Sequence, residues 1–155
     1  MKKLAGFLTL VIGLIATTAS AQYNTGDVQL NASLSKIDAN AKLDFGGFKA
    51  DLSASYNVST GKIDSWSADL GMKAGDIYLA CETAKITKKP VDEVVTVYQK
   101  HKDKGWGVIA KELGIKPGSP EFHALKNSAG GKAEKGGKKD KGGKGDKGGK
   151  GKGKK

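Results

Sequence analysis

The chain contains no arginine: all 27 of its basic residues are lysine. A guanidinium is the planar, two-pronged group that grips bases and tightly held phosphates, whereas an ammonium is a hydrated point charge. Its absence argues against sequence-specific reading of nucleic acid and leaves diffuse attraction to polyanions open. Cysteine is nearly absent as well. Cys81 stands alone, so no disulfide can form within the chain. Ile77, Ala80 and Ala84 share its helical spacing, the setting of a small buried hydrophobe, with an intermolecular disulfide as the alternative. Only two histidines occur, His101 and His123, with no neighbouring Cys and no His-x-x-x-His spacing. A metal site would need them to converge by folding, and surface or helix-end histidines are the plainer reading. No Gly-x-Ser-x-Gly elbow singles out a nucleophile. Asp and Glu fall at helix starts and solvated faces, where support of the helix explains them. No catalytic residue, cofactor site or metal ligand is therefore assigned, and the expected class is non-enzymatic.

A long apolar run is missing beyond the first residues. Lys2 and Lys3 precede an apolar stretch from Leu4 to Ile15, and Ala19-Ser20-Ala21 places small residues where a signal peptidase reads. This pattern predicts a secretory signal over residues 1–21, cut after Ala21. A membrane span would need about 20 continuous apolar residues, and Thr17, Thr18 and Ser20 interrupt this one. No Cys follows the cut, which disfavours a lipid anchor, and no later stretch could span a membrane. The expectation is a periplasmic or secreted protein with no transmembrane segment in the mature chain.

What is abundant is Gly and Lys, and they concentrate at one end. Residues 127–155 carry 11 Lys against Glu134, Asp140 and Asp146, a net of +8; residues 22–126 carry 14 Lys against 13 acids, a net of +1. Basicity thus belongs to an appendage. Repeats such as Lys-Gly-Gly-Lys bury too little apolar area to offset ordering entropy, which predicts a disordered tail over 127–155. Either it only solubilises, or Lys138, Lys139, Lys141, Lys144, Lys147 and Lys150 contact anionic envelope polymers, lipid headgroups or extracellular nucleic acid, with affinity falling as salt rises.

Residues 22–126 are long enough for one modest core. Leu30, Leu34, Ile37, Ala41, Phe45, Phe48 and Leu52 recur at steps of three or four, one face of a helix. A rival period fits residues 40–58: strict alternation around Gly46-Gly47 reads as a β-hairpin. Few β-branched residues surround it, which favours helix. Ser59 reads as the cap of a short helix carrying Ile63, Trp66 and Leu70 and ended by Gly71. A further helix spans about Gly75 to Ile86, with Ile77, Ala80, Cys81 and Ala84 inward. Pro90, Asp92 and Glu93 open another that faces Val91, Val94, Val95 and Tyr98 to the core up to His101.

From Lys104 to Lys126 the signals are densest. Trp106, Ile109, Ala110 and Leu113 share a helical face, Gly114 suits a left-handed C-terminus, and Ile115 can fold back over the helix end. Pro117-Gly118 makes a turn, and Ser119-Pro120-Glu121 restarts a helix that points Phe122 and Leu125 inward. Gly105-Trp106-Gly107 could expose the indole as a ligand platform, but a Trp in phase with Ile109 and Leu113 is more often core. Trp106, Gly105, Gly107, Phe122 and His123 are the candidate binding or architectural residues, with a protein partner possible at the indole.

The run Ile109-Ala110-x-x-Leu113-Gly114-Ile115 resembles the first helix and turn of a DNA-binding helix-turn-helix. Phe122 and Leu125 sit about two positions later than that motif's apolar pair, and the reading helix would hold Pro120 and Glu121. Nucleic-acid binding by residues 105–126 and the basic tail is the alternative function. More closely, Lys89-Pro90-Val91, Gly105-Trp106-Gly107, Ile109-Ala110, Leu113-Gly114-Ile115, Pro117-Gly118-Ser119 and Phe122 to Lys126 resemble a family of small exported bacterial proteins without assigned activity. The resemblance implies a compact helical domain and supplies no catalytic residue. The expected architecture is all-α: a bundle of about five short helices over 22–126 ending in a helix-turn-helix-like corner.

Overall fold

The computed structural model describes residues 23–136, and every regular element in them is helical. The signal sequence with its cut after Ala21, and the tail lysines from Lys138 onward, lie outside the described residues. The helices are α1 (Val28–Leu43), α2 (Phe45–Tyr56), α3 (Thr60–Ala68), α4 (Ala74–Thr87), α5 (Val91–His101), α6 (Trp106–Glu112) and α7 (Pro120–Lys135). A single 3₁₀ turn, Lys102–Lys104, joins α5 to α6.

Seven α-helices stand among the described residues where about five were expected; one of the additional helices arises because the stripe from Leu30 to Leu52 is broken. Asp44 leaves helical geometry, donating its N–H to Asn40 O at 3.2 Å and accepting from Gly47 N at 2.8 Å. It closes α1 and caps α2 in the same residue. The hairpin alternative for 40–58 is overturned: the alternating pattern around Gly46-Gly47 is the opening turn of α2.

α4 is the axis of the bundle. Every residue from Gly75 to Ala84 is buried, not only the face of Ile77, Ala80, Cys81 and Ala84. A helix surrounded on all sides is covered by its neighbours, here α1, α2, α3, α5 and α7. α1 and α7 also pack on each other, while α6 lies against α5.

The corner at 113–120 has the local structure its residues dictate. Ile115 N donates to Ala110 O at 2.8 Å and Gly114 N to Lys111 O at 3.1 Å, the paired bonds that close a helix through a left-handed glycine. Ser119 N then donates to Lys116 O at 3.0 Å across Pro117-Gly118, and Ser119 Oγ accepts from Phe122 N at 3.2 Å to start α7.

The domain boundary at Lys126 is corrected by α7, which continues to Lys135. Leu125, Ala129 and Ala133 repeat every four residues and are all buried, so the helix keeps an apolar seam through Gly130-Gly131. Asn40 Nδ2 donates to Ala133 O at 3.0 Å, satisfying a carbonyl of its last turn. A composition dominated by small and charged residues hides that seam.

The segment ahead of α1 is built in rather than trailing. Trp106 N donates to Tyr23 O at 2.8 Å and Gly107 N to Asn24 O at 2.9 Å. A Cβ on Gly105 would stand 2.5 Å from Asn24 Cβ, and its backbone has φ +85°. Gly105→Ala is therefore expected to cost about 2 kcal/mol or more in a urea melt. Gly130→Ala, where an added Cβ meets nothing within 4 Å, is expected to add about 0.5–1 kcal/mol.

Candidate functional site

Trp106 is 3% exposed, and its indole Nε1 donates to Asp76 Oδ1 at 2.8 Å. Its ring lies against Tyr98, centroids 5.7 Å apart. The other carboxylate oxygen, Asp76 Oδ2, accepts from Lys73 N at 3.0 Å and from the Tyr98 hydroxyl at 3.2 Å. The cap of α4, the middle of α5 and the start of α6 thus meet on one buried acid.

A second carboxylate continues the network. Asp38 of α1 accepts from the Tyr23 hydroxyl and from Gly75 N, the latter at 2.9 Å. Burial holds the Asp76 carboxyl above the ordinary aspartate range; its three donors pull the other way and the Asp38 charge adds to the rise. Burial, then Asp38, push the Tyr23 phenol well above its usual value, so it remains a donor across the ordinary pH range.

The candidate residues separate accordingly. Gly105 and Gly107 flank Trp106 because Asn24 lies against both. Phe122 is brought beside Trp106 and Gly107 in a small apolar hollow with Leu30, Leu79 and Leu125. His123 is exposed, its ring edge-on to Phe122 at 6.4 Å. The indole offers no open face to a ligand, so the platform reading gives way to an internal role. Asp76, Asp38 and Tyr23 were not singled out by sequence; the signal present was an acid set directly before the apolar run Ile77-Tyr78-Leu79.

Other chemistry is equally enclosed. Glu82 accepts from the Tyr56 hydroxyl and is buried. Cys81 is free and 2% exposed, its thiol pushed up to about 12 by burial and then by Glu82, which makes it a poor nucleophile. His101 Nε2 sits 2.6 Å from Glu112 Oε2. Among the described residues no three His, Cys, Asp or Glu converge to hold a metal, and no helix is long and apolar enough to cross a membrane.

The helix pair resembling a DNA-reading motif is organised differently. α6 packs on α5 and α7 on α1 and α4. The first turns of α7 turn Glu121, His123 and Ala124 to solvent, and Lys126 is paired with Asp27 at 2.9 Å. Comparisons with family models, curated proteins and solved structures gave no match, so the resemblance of residues 89–126 adds no function to this geometry.

Trp106→Phe should remove the Oδ1 donor and lower stability by about 1–3 kcal/mol, read by chemical denaturation. The pH dependence has two opposed parts. Backbone donation from Leu30 and the Lys126 pair lower the Asp27 pKa, so its contribution is present above the unfolded value near 3.8 and is lost as pH falls through the folded one. Asp76, raised, acts oppositely: its ionisation weakens the fold as pH rises from the unfolded value through the folded one. Asp27→Asn should therefore flatten the acid limb of stability against pH. Asp76→Asn should steepen it while lowering the plateau, because its amide cannot accept from all three donors.

Proposed function

We propose that this is an exported, non-enzymatic binding protein in which a folded helical body is held at anionic material by its Lys/Gly-rich end. The observation that carries this reading is the division of charge. Residues 137–155 hold nine Lys against Asp140 and Asp146, a net of +7 out of the chain's +11. α7 ends at Lys135, immediately before that stretch.

A run of ammonium groups attracts any dense array of phosphates, sulfates or carboxylates by releasing its counterions. Such binding is nonspecific and weakens steeply with salt. Contacts within the body support the division, since several of its lysines are already committed: Lys49 pairs with Asp64 at 2.7 Å, Lys62 with Asp92 at 2.6 Å, and Lys89 with Glu93 at 2.5 Å.

The test removes residues 137–155, leaving α7 whole. Retention of full-length and truncated protein would be measured on anionic vesicles, acidic polysaccharide and DNA across a salt series. Full-length protein should lose retention with a log–log slope of about −0.7 to −0.9 per anionic group neutralised on a nucleic-acid probe, and the truncated form should not be retained. Equal retention of the two would sink the tether, and DNA binding by the truncated form at low salt would point to the 105–126 helix pair instead.

A further inference from the structure

One groove outside the buried network carries reactive side chains. It lies where α7 ends across α1 and α2, has a volume of about 320 Å³, and is lined by Ile37, Ala41, Phe48, Asp51, Lys132 and Lys135, among others. Ile37, Ala41 and Phe48 are core residues, so its floor is apolar. Lys132 crosses that floor: its side chain is only 18% exposed, and Nζ stands 5.6 Å from the Phe48 ring centroid. Asp51, more open to solvent, pairs with this amine. Lys135 follows one turn later on α7 and is exposed at the rim.

Lys49 and Lys62 also lie over a ring beside a carboxylate; what Lys132 adds is its place in the groove with a second lysine, Lys135, lining the same groove. A partly desolvated primary amine with a second ammonium beside it is the arrangement that activates a lysine toward carbonyl carbon. The contacting Asp51 carboxylate favours the ammonium, against those two effects, and stands where it can take up and return a proton. We propose that the groove is a capture site for small aldehydes or keto compounds that carry an anionic group. Lys132 is the condensing amine, Lys135 the counter-charge for the anion, and Asp51 the proton carrier.

The chemistry balances without any further reagent. The Lys132 ammonium passes one proton to Asp51, and the free Nζ forms a bond to the carbonyl carbon as the C=O π bond breaks and its electron pair moves to oxygen, which takes that proton back from Asp51. Asp51 then takes the second nitrogen-bound proton and gives it to the hydroxyl, the C–O bond breaks to release one water, and the nitrogen pair closes a protonated imine that keeps the third proton. No atom is oxidised or reduced. Burial, and then the neighbouring Lys135 charge, hold the Lys132 amine below the ordinary lysine range, which enlarges the reactive fraction. The inference does not rest on the tether reading, because it concerns the folded body alone.

The probe is glyoxylate, the smallest anionic aldehyde, applied to the full-length protein near neutral pH with cyanoborohydride to trap the imine as a secondary amine. Peptide mass spectrometry then gives the rate at each lysine, and Lys138, Lys139 and the rest of the basic end serve as internal references. Lys132 should be modified at least about tenfold faster than those references. Lys132→Arg should abolish that fast site with the circular-dichroism spectrum unchanged. Lys135→Ala should slow both aldehydes, because it returns the Lys132 amine toward the charged form, and should slow glyoxylate more than neutral propionaldehyde, because the anion also loses its counter-charge; Asp51→Asn should slow both. Modification of Lys132 in the wild-type chain no faster than at the reference lysines would overturn the proposal. So would a fast Lys132 whose preference for glyoxylate over propionaldehyde is unchanged by Lys135→Ala, because the anion would then have no counter-charge in the groove.

Discussion

A carboxylate can leave water inside a helical bundle only where donors replace its hydration shell, and Asp76 is the residue on which this fold meets that condition. Its donors come from three places: the backbone at Lys73, the hydroxyl of Tyr98 and the indole of Trp106. Apolar burial is non-directional and would tolerate α5 and α6 sliding along α4. Directed bonds to one acid do not, since displacement of any partner leaves a buried charge short of a donor. The network continues through Asp38 to Tyr23, so the segment ahead of α1 is registered by the same constraint.

The opposite end of the buried run repeats the device with fewer parts. Glu82 lies six residues beyond Asp76, about 9 Å along the axis, and is held by the Tyr56 hydroxyl of α2. The buried run of α4 therefore carries an acid near each end, each tied to a tyrosine from a different neighbour. Between them Ile77, Leu79 and Ala80 are fully covered and supply the area that stabilises the bundle. Polar ends and an apolar middle let one helix both specify and stabilise the packing around it.

The body's surface follows another logic. Lys49, Lys62, Lys85 and Lys132 lie over the rings of Phe45, Trp66, Tyr56 and Phe48. Their stems cover aromatic surface, and Lys62 keeps its charge near water, whereas the Lys132 amine is largely withdrawn from it. Exposed ion pairs of the Lys62–Asp92 kind each contribute about 0–1 kcal/mol, so this surface charge gives solubility more than stability. The near-neutral body leaves the net charge to residues outside the bundle, and the groove at Lys132 is the place where its own lysines come closest to chemistry.

The sequence by itself determined the helices and their punctuation. Ser59, Gly114, Pro117-Gly118 and Ser119-Pro120 act through bonds that span three to five positions, and those bonds form as the local pattern implies. Trp106, Ile109, Leu113 and Leu125 were legible as core for the same reason, since a period of three or four is a local property. The break at Asp44 was obscured because the apolar stripe keeps its period across it. The continuation of α7 to Lys135 was obscured by glycine and lysine around Ala129 and Ala133. Only the tertiary structure decided that α4 is covered on every side and that Asp76, Asp38, Tyr23 and Trp106 form one cluster. Those residues lie far apart in the chain, and a buried acid looks like a surface acid until its donors arrive from other helices.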